Sequence, residues 1–160
     1  MAQSLSNVLI HLVYGTLDRR HTIPEKLLPE VHAYLAAVCA DFGCRAVKVG
    51  GITNHVHMLI DLGRTHAVAQ VAEEVKKRSS KWMKTKGRFL DKFAWQHGYA
   101  AFSVCTFHRQ HLVDYIQNQS EHHRRRTFEE EYIAFLEKYG VEYDPNRLWS
   151  TCVCSRSRLS

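Results

Sequence analysis

The chain of 160 residues carries a formal net charge of +6, and 45% of its residues are hydrophobic, enough for one domain with a substantial core and too much for a disordered chain. Met1-Ala-Gln-Ser-Leu-Ser lacks the charged, apolar start of a signal peptide and no apolar run approaches the ~18 residues of a membrane span, so a cytoplasmic protein without a membrane partner is expected. The basic surplus favours an anionic partner, with nucleic acid as the first expectation.

In chain order, Asn7 to Leu17 is short, apolar and β-branched or aromatic, and reads as a buried strand in which His11 is a packed histidine. A polar turn follows at Asp18-Arg19-Arg20-His21. A helix from about Lys26 to Phe42 is marked by Pro29 in its first turn, by Val31, Leu35, Val38 and Phe42 at helical spacing, and by Gly43 as its cap. Cys44 to Val49 alternates as a second strand that Gly50-Gly51 is expected to break. The third strand, His55 to Leu62, places His55, His57, Leu59 and Asp61 on one face and Val56, Met58, Ile60 and Leu62 on the other. Its two imidazoles stand roughly 6–7 Å apart at the backbone, close enough to converge on one cation or one phosphate.

A second helix, about His66 to Lys84, has a core stripe of Val68, Val71, Ala72, Val75 and Trp82. Between Arg64 and Lys92 stand nine Lys or Arg residues and three acids, a one-sided sign that suits a phosphate backbone. Lys76, Lys77, Arg78, Lys81 and Lys84 are the candidate contacts on this helix. Tyr99 to Thr106 reads as the fourth strand. Strand, helix, strand, strand, helix, strand is the split βαβ order of an α+β domain, the ferredoxin-like arrangement shared with RRM-like RNA-binding domains. We expect a four- to five-stranded antiparallel sheet with helices on one face and the first and third strands central. Because Val56, Met58 and Ile60 would face the helices, His55 and His57 would face an open side.

From His108 a further helix carries Leu112 and Ile116 on one seam, and Tyr115 and Gln119 on a neighbouring seam with the same spacing of four. The run Arg124-Arg125-Arg126 adds a second basic cluster. Thr127 to Tyr139 reads as a closing helix stopped by Gly140. Residues 1–149 are expected to form the single domain, with 150–160 as a flexible tail. The five cysteines are scattered without a CxxC pair and read as reduced thiols, with Cys152-Val153-Cys154 the one local pair.

The strand motif His55-Val56-His57, the helix motif Tyr115-Ile116-Gln117-Asn118-Gln119, and the trailing stretch from His122 to Tyr132 resemble the single-tyrosine HUH transposases of the IS200-like family. The likeness runs from the first strand to about Trp149. One departure is Asn54, where that family commonly has Asp before the first histidine. The resemblance implies that Tyr115 is the nucleophile in single-stranded DNA cleavage, leaving a 5′-phosphotyrosine link. It implies that His55, His57 and Gln119 hold Mg²⁺ or Mn²⁺, that DNA hairpins at element ends are recognised, and that the enzyme is a homodimer with active sites completed in trans. Unpaired bases would stack on aromatics such as Trp82 or Trp95. A domesticated relative that nicks and joins host DNA would be served equally well by the same residues, whereas a non-catalytic RRM-like nucleic-acid-binding module would want stacking aromatics on the central strands where His55 and His57 stand.

Overall fold

The computed structural model describes residues 2–149. The tail 150–160, and with it Cys152-Val153-Cys154, lies outside the described residues. Four strands, β1 (Leu9–Gly15), β2 (Arg45–Ile52), β3 (His55–Asp61) and β4 (Ala100–Val104), form one antiparallel sheet in the order β2-β3-β1-β4. The expected central position of the first and third strands is observed. The second strand does not stop at Gly50-Gly51: it continues to Ile52 and carries its irregularity earlier, between Ala46 and Lys48.

Helices α1 (Leu28–Asp41) and α2 (Val68–Lys84) cover one face of the sheet. Pro29 sits in the first turn of α1, where no intrahelical N–H is needed. Gly43, at φ +74°, ends it, with the Gly43 and Cys44 amides donating to Ala40 O and Cys39 O at 3.1 and 2.9 Å. Ile10, Leu12 and Tyr14 from β1 and Val56, Met58 and Ile60 from β3 pack there against Val31, Leu35, Val71 and Val75. The period-2 pattern of the strands thus meets the period-3.6 stripes of the helices.

The opposite face is also covered, by the tyrosine-bearing helix expected after the last strand and by the segment that follows it, which corrects the expectation of an open histidine face. After β4 the chain forms α3 (Arg109–Gln117), breaks at Asn118, resumes as the short α4 (Gln119–His122) and turns back as α5 (Phe128–Lys138). Thr127 caps α5 reciprocally: its hydroxyl accepts the Glu130 amide at 3.2 Å and Glu130 Oε2 accepts the Thr127 amide at 2.9 Å. The apolar seam of α3 is satisfied within the chain, since Ile116, Leu112 and Val113 pack on Leu9 and Leu59.

Two bare backbones let these segments approach. Gly50 and Gly15 are in register with His57 and His55. A Cβ on Gly50 would come within 2.4 Å of Ile116 O, and one on Gly15 within 2.6 Å of the Phe128 ring. Gly50→Ala is therefore expected to push α3 off the sheet and lower stability by about 1–3 kcal/mol, read as the shift in a denaturation midpoint.

Candidate active site

His55 and His57 project from β3 beneath α3, α4 and α5, and both are fully buried, at 0% exposure. His11, one strand over on the same face, lies behind them. Its Nε2 is 2.8 Å from His57 Nδ1, the rings stack at 5.1 Å, and its own Nδ1 has no partner. His11 is thus a packed strand residue as expected, but one that supports His57. Phe128 stacks on the His55 ring at 4.4 Å and 10°, and Phe135 packs edge-on against His11.

The two helix residues set four apart also arrive here. Gln119 is buried, and its Oε1 lies 2.9 Å from His55 Nε2. The Tyr115 hydroxyl donates to Glu131 Oε1. The same carboxylate takes the Gln119 amide on Oε1 at 3.3 Å, and its Oε2 lies 3.3 Å from His57 Nε2 and 2.9 Å from His123 Nε2. His55, His57 and Gln119 are therefore brought together, and two further residues, His123 and Glu131, join them. Glu131 had one sequence signal. It follows Phe128 by three positions, on the stripe by which α5 buries Phe128, Tyr132 and Leu136, where a carboxylate needs partners. His123 continues the spacing of four from Tyr115 through Gln119.

The electrostatics follow from this burial. Desolvation would raise the Glu131 carboxyl, but hydrogen bonds from His123 and His57 and the neighbouring imidazoles outweigh it and hold Glu131 well below the usual carboxylate range. Burial, then the Glu131 charge and hydrogen bond, push the Tyr115 phenol well above its ordinary value. Burial, reinforced by His57, holds His55 and His11 well below the ordinary imidazole range despite the opposing pull of Glu131, so both rings are neutral near pH 7.

The donor set fits a cation. Asn54 spends its amide N–H on Arg19 O at 3.2 Å, which leaves Oδ1 facing His55 Nδ1 at 2.8 Å as an acceptor. Asp18 and Arg19 adopt left-handed backbone, φ 55° and 56°, in the turn that supplies that carbonyl. The His55 proton is thereby placed on Nδ1, and the Nε2 lone pair points at Gln119 Oε1. His123 repeats the pattern: Nδ1 gives its hydrogen to Arg126 O at 2.8 Å, and Nε2 faces Gln119 Oε1 and Glu131 Oε2. For His55, held neutral by burial, an Nε2 lone pair facing the Gln119 Oε1 lone pair beside the ionised Glu131 carboxylate is an arrangement that a cation between them would satisfy. Ligand atoms of His55, His57, His123 and Glu131 all lie within 4.8 Å of one another. The neutral Asn54 thus retains the contact that orients His55.

Other expectations are redistributed. The histidine face is closed, not open, because the segment after β4 folds back over it. The basic helix α2 lies on the far face of the sheet. There Lys77, Lys81 and Lys84 are exposed, Arg78 pairs with Asp41 at 2.7 Å, and half-buried Lys76 donates to His97 O and Gly98 O at 3.0 Å, with burial lowering its amine to about 8. Arg124, Arg125 and Arg126 are exposed and flank the cluster, lining a cleft of about 530 Å³ with Arg19, His21, His123, Glu129 and Glu130, in which Arg19 pairs with Glu129 at 2.7 Å while Arg124 pairs with Glu121 at 3.4 Å. Trp82 and Trp95 do not present free faces: Trp82 stacks on Tyr34 at 4.4 Å, and buried Trp95 donates to Ser79 Oγ at 2.9 Å. Within the single chain the Tyr115 hydroxyl lies against the cluster of that same chain.

Residues 4–119 match the family described as "Transposase IS200 like". Among solved structures, a protein of Deinococcus radiodurans R1 provisionally described as a transposase superposes with a TM-score of 0.58 at 19% identity, covering 74% of this chain and 98% of its own. A REP-associated tyrosine transposase bound to a REP hairpin superposes with a TM-score of 0.55 at 16% identity, covering 77% of this chain and 72% of its own. At these identities the two structures establish the fold. No curated protein matches the sequence. Among the described residues, no helix is long and apolar enough to cross a membrane.

Proposed function

This chain belongs to the IS200-like transposase family, and on that premise we propose that it is a metal-dependent enzyme that nicks and rejoins single-stranded DNA through a tyrosine-linked intermediate. The observation that carries the reading is the convergence of the Tyr115 hydroxyl, three imidazoles and the Gln119 amide on the single buried carboxylate of Glu131. A simple binding surface has no use for so costly a cluster, because each buried polar group needs a partner.

In this reading the Tyr115 oxygen attacks a backbone phosphorus. A bond forms between the phenolic oxygen and phosphorus as the phenol gives its proton to solvent, the bond from phosphorus to the 3′ oxygen breaks, and that oxygen takes a proton from solvent to leave as a free 3′-hydroxyl. The strand end stays on Tyr115 as a 5′-phosphotyrosine. Attack by another 3′-hydroxyl reverses the step, so the energy of the phosphodiester is kept and no nucleotide cofactor is needed. Glu131 Oε1 accepts the Tyr115 hydroxyl hydrogen bond and so aims the phenol, and the ring contacts of Tyr115 with His57 at 5.9 Å and Phe135 at 5.8 Å hold it in place.

His55 Nε2, His57 Nε2 and Gln119 Oε1 are the groups that would hold a divalent cation, with His123 and Glu131 in reach. When bound, Mg²⁺ or Mn²⁺ supplies polarisation of the scissile phosphate and neutralises charge developing there. Three imidazoles favour Mn²⁺ over Mg²⁺. His11 and Asn54 orient the imidazoles from behind. The exposed arginines Arg124, Arg125 and Arg126, with Lys77, Lys81 and Lys84 on the far face, are the proposed phosphate contacts for hairpin DNA.

The test is to incubate the protein with labelled single-stranded hairpin oligonucleotides and Mn²⁺ or Mg²⁺, and to resolve the products on a denaturing gel. A protein–DNA adduct that disappears with EDTA is expected. Hairpin binding without an adduct under any divalent cation would replace this reading with that of a binding module.

A further inference from the structure

Two cavities open onto the cluster from opposite sides. The arginine cleft reaches it at His123. A groove of about 680 Å³ between α3 and α5 reaches it at Tyr115, lined also by His108, His111, Phe135, Lys138 and Tyr139. Tyr115 and His123 bond different oxygens of the same buried Glu131 carboxylate, so the two cavities approach the cluster with only that side chain between their nearest lining residues.

We propose that the α3–α5 groove is the subsite for an unpaired nucleobase next to the phosphodiester that Tyr115 attacks. The single strand then runs from this groove past the Tyr115 hydroxyl and into the arginine cleft. The inference rests on the reading of Tyr115 as the nucleophile and deepens it by naming how the strand is held.

The argument is one of reach and chemistry. A base adjoining the attacked phosphate is only one sugar away, so it must lie beside Tyr115, and the groove is the apolar space there. Its size falls within the range of pockets that hold small organic ligands. Tyr139 is 42% exposed, yet its ring is anchored by stacking on Phe102 at 4.7 Å and 23°. A fixed, half-open aromatic ring is what sequence-tolerant base stacking requires. Phe135 lies nearly parallel to it, with centroids 6.4 Å apart. The charge is complementary to a nucleotide: Lys138 and two exposed imidazoles line the groove, and no carboxylate does among the described residues. Flat aromatic walls with a cationic edge suit a base and its phosphate better than they suit a peptide.

The proposal is tested in the Tyr115→Phe background, where DNA is bound without being cut. Binding of a fluorescein-labelled, mixed-sequence 15-nucleotide single strand is followed by anisotropy, beside the same length of duplex. Tyr139→Ala and Lys138→Glu are each expected to weaken single-strand binding about ten-fold, well within what loss of a base stack costs, and to leave duplex binding unchanged. Because Tyr139 also packs on Phe102, thermal melts accompany both variants, and the exposed Lys138→Glu carries the test if Tyr139→Ala unfolds. A strand substituted with 5-iododeoxyuridine should crosslink to the peptide containing residues 135–139. Parent-like binding by a folded variant, or crosslinks confined to other segments, overturns the subsite while leaving the nuclease reading intact. If the parent fails to bind the single strand and the wild type forms no adduct, the nuclease reading falls and the subsite with it.

Discussion

Tyr115→Phe is expected to abolish the covalent protein–DNA adduct, a loss of about 10⁴-fold or more, as removal of the nucleophile costs other covalent enzymes. The substitution is mild structurally. The phenylalanine ring keeps its contacts with His57, His122 and Phe135, and only the hydroxyl bond to Glu131 is lost. The folded protein should therefore survive, with a change in stability of about 1 kcal/mol. His57→Ala should also remove the adduct, for a different reason: it deletes a proposed cation ligand and strips His11 Nε2 and Glu131 Oε2 of a partner. Isothermal titration with Mn²⁺ separates the two, since Tyr115→Phe retains the heat of binding and His57→Ala loses it. Mixing the two inactive chains tests the placement of the helix. The cis arrangement predicts no recovery of adduct, whereas recovery would mean that Tyr115 of one chain serves the histidines of another. An undiminished adduct in Tyr115→Phe removes the nucleophile assignment altogether.

Mild acid should destabilise the fold strongly. Burial keeps the His11 and His55 rings neutral well below the ordinary imidazole range. Their folded pKa values are thus depressed, and the unfolded chain takes up protons that the folded chain refuses. Stability from these two groups is fully present above about pH 6.5 and falls as the pH drops below it, by at most about 1.4 kcal/mol per pH unit for each ring. By pH 5 the loss from the two together is at most about 4 kcal/mol, against the 5–15 kcal/mol typical of a domain. Glu131 acts in a lower window. Its carboxyl is held below the usual range, so its contribution is intact above about pH 4.3 and is lost only beneath that. Thermal melts at pH 7.5, 6 and 5 should show the transition temperature falling steadily, with a steeper fall below pH 4.5. A flat profile between pH 7.5 and 5 would mean that both rings titrate normally and that the cluster is open to water.

Strand alternation puts His55 and His57 on one face, whereas Tyr115 and Gln119, four apart but on either side of the break at Asn118, stand out only through the resemblance to the IS200-like family. The central position of β1 and β3 follows from the element order. What local pattern does not carry is chain reversal. His123 and Glu131 meet only because the backbone turns between α4 and α5, and no spacing rule spans that turn. The same reversal accounts for the closed histidine face, since the covering segment follows the last strand. The basic run on α2 illustrates a different limit: its sign is legible, but the side of the sheet it occupies depends on which stripe of the helix is apolar. Trp82 and Trp95 likewise look available in sequence and are consumed by Tyr34 and Ser79 in the fold.

The carboxylate that unites the cluster lies twelve residues beyond the segment that matches the family, on the last helix of the described chain. During synthesis the histidines and Tyr115 are laid down first, and a nascent chain that has reached only Gln119 lacks the carboxylate to which the Tyr115 hydroxyl donates. On the proposed reading the site is complete only when α5 docks. A chain that stops before α5 lacks both Glu131 and the Phe128, Tyr132 and Leu136 side of a second core cluster, and on that reading is expected to form no adduct.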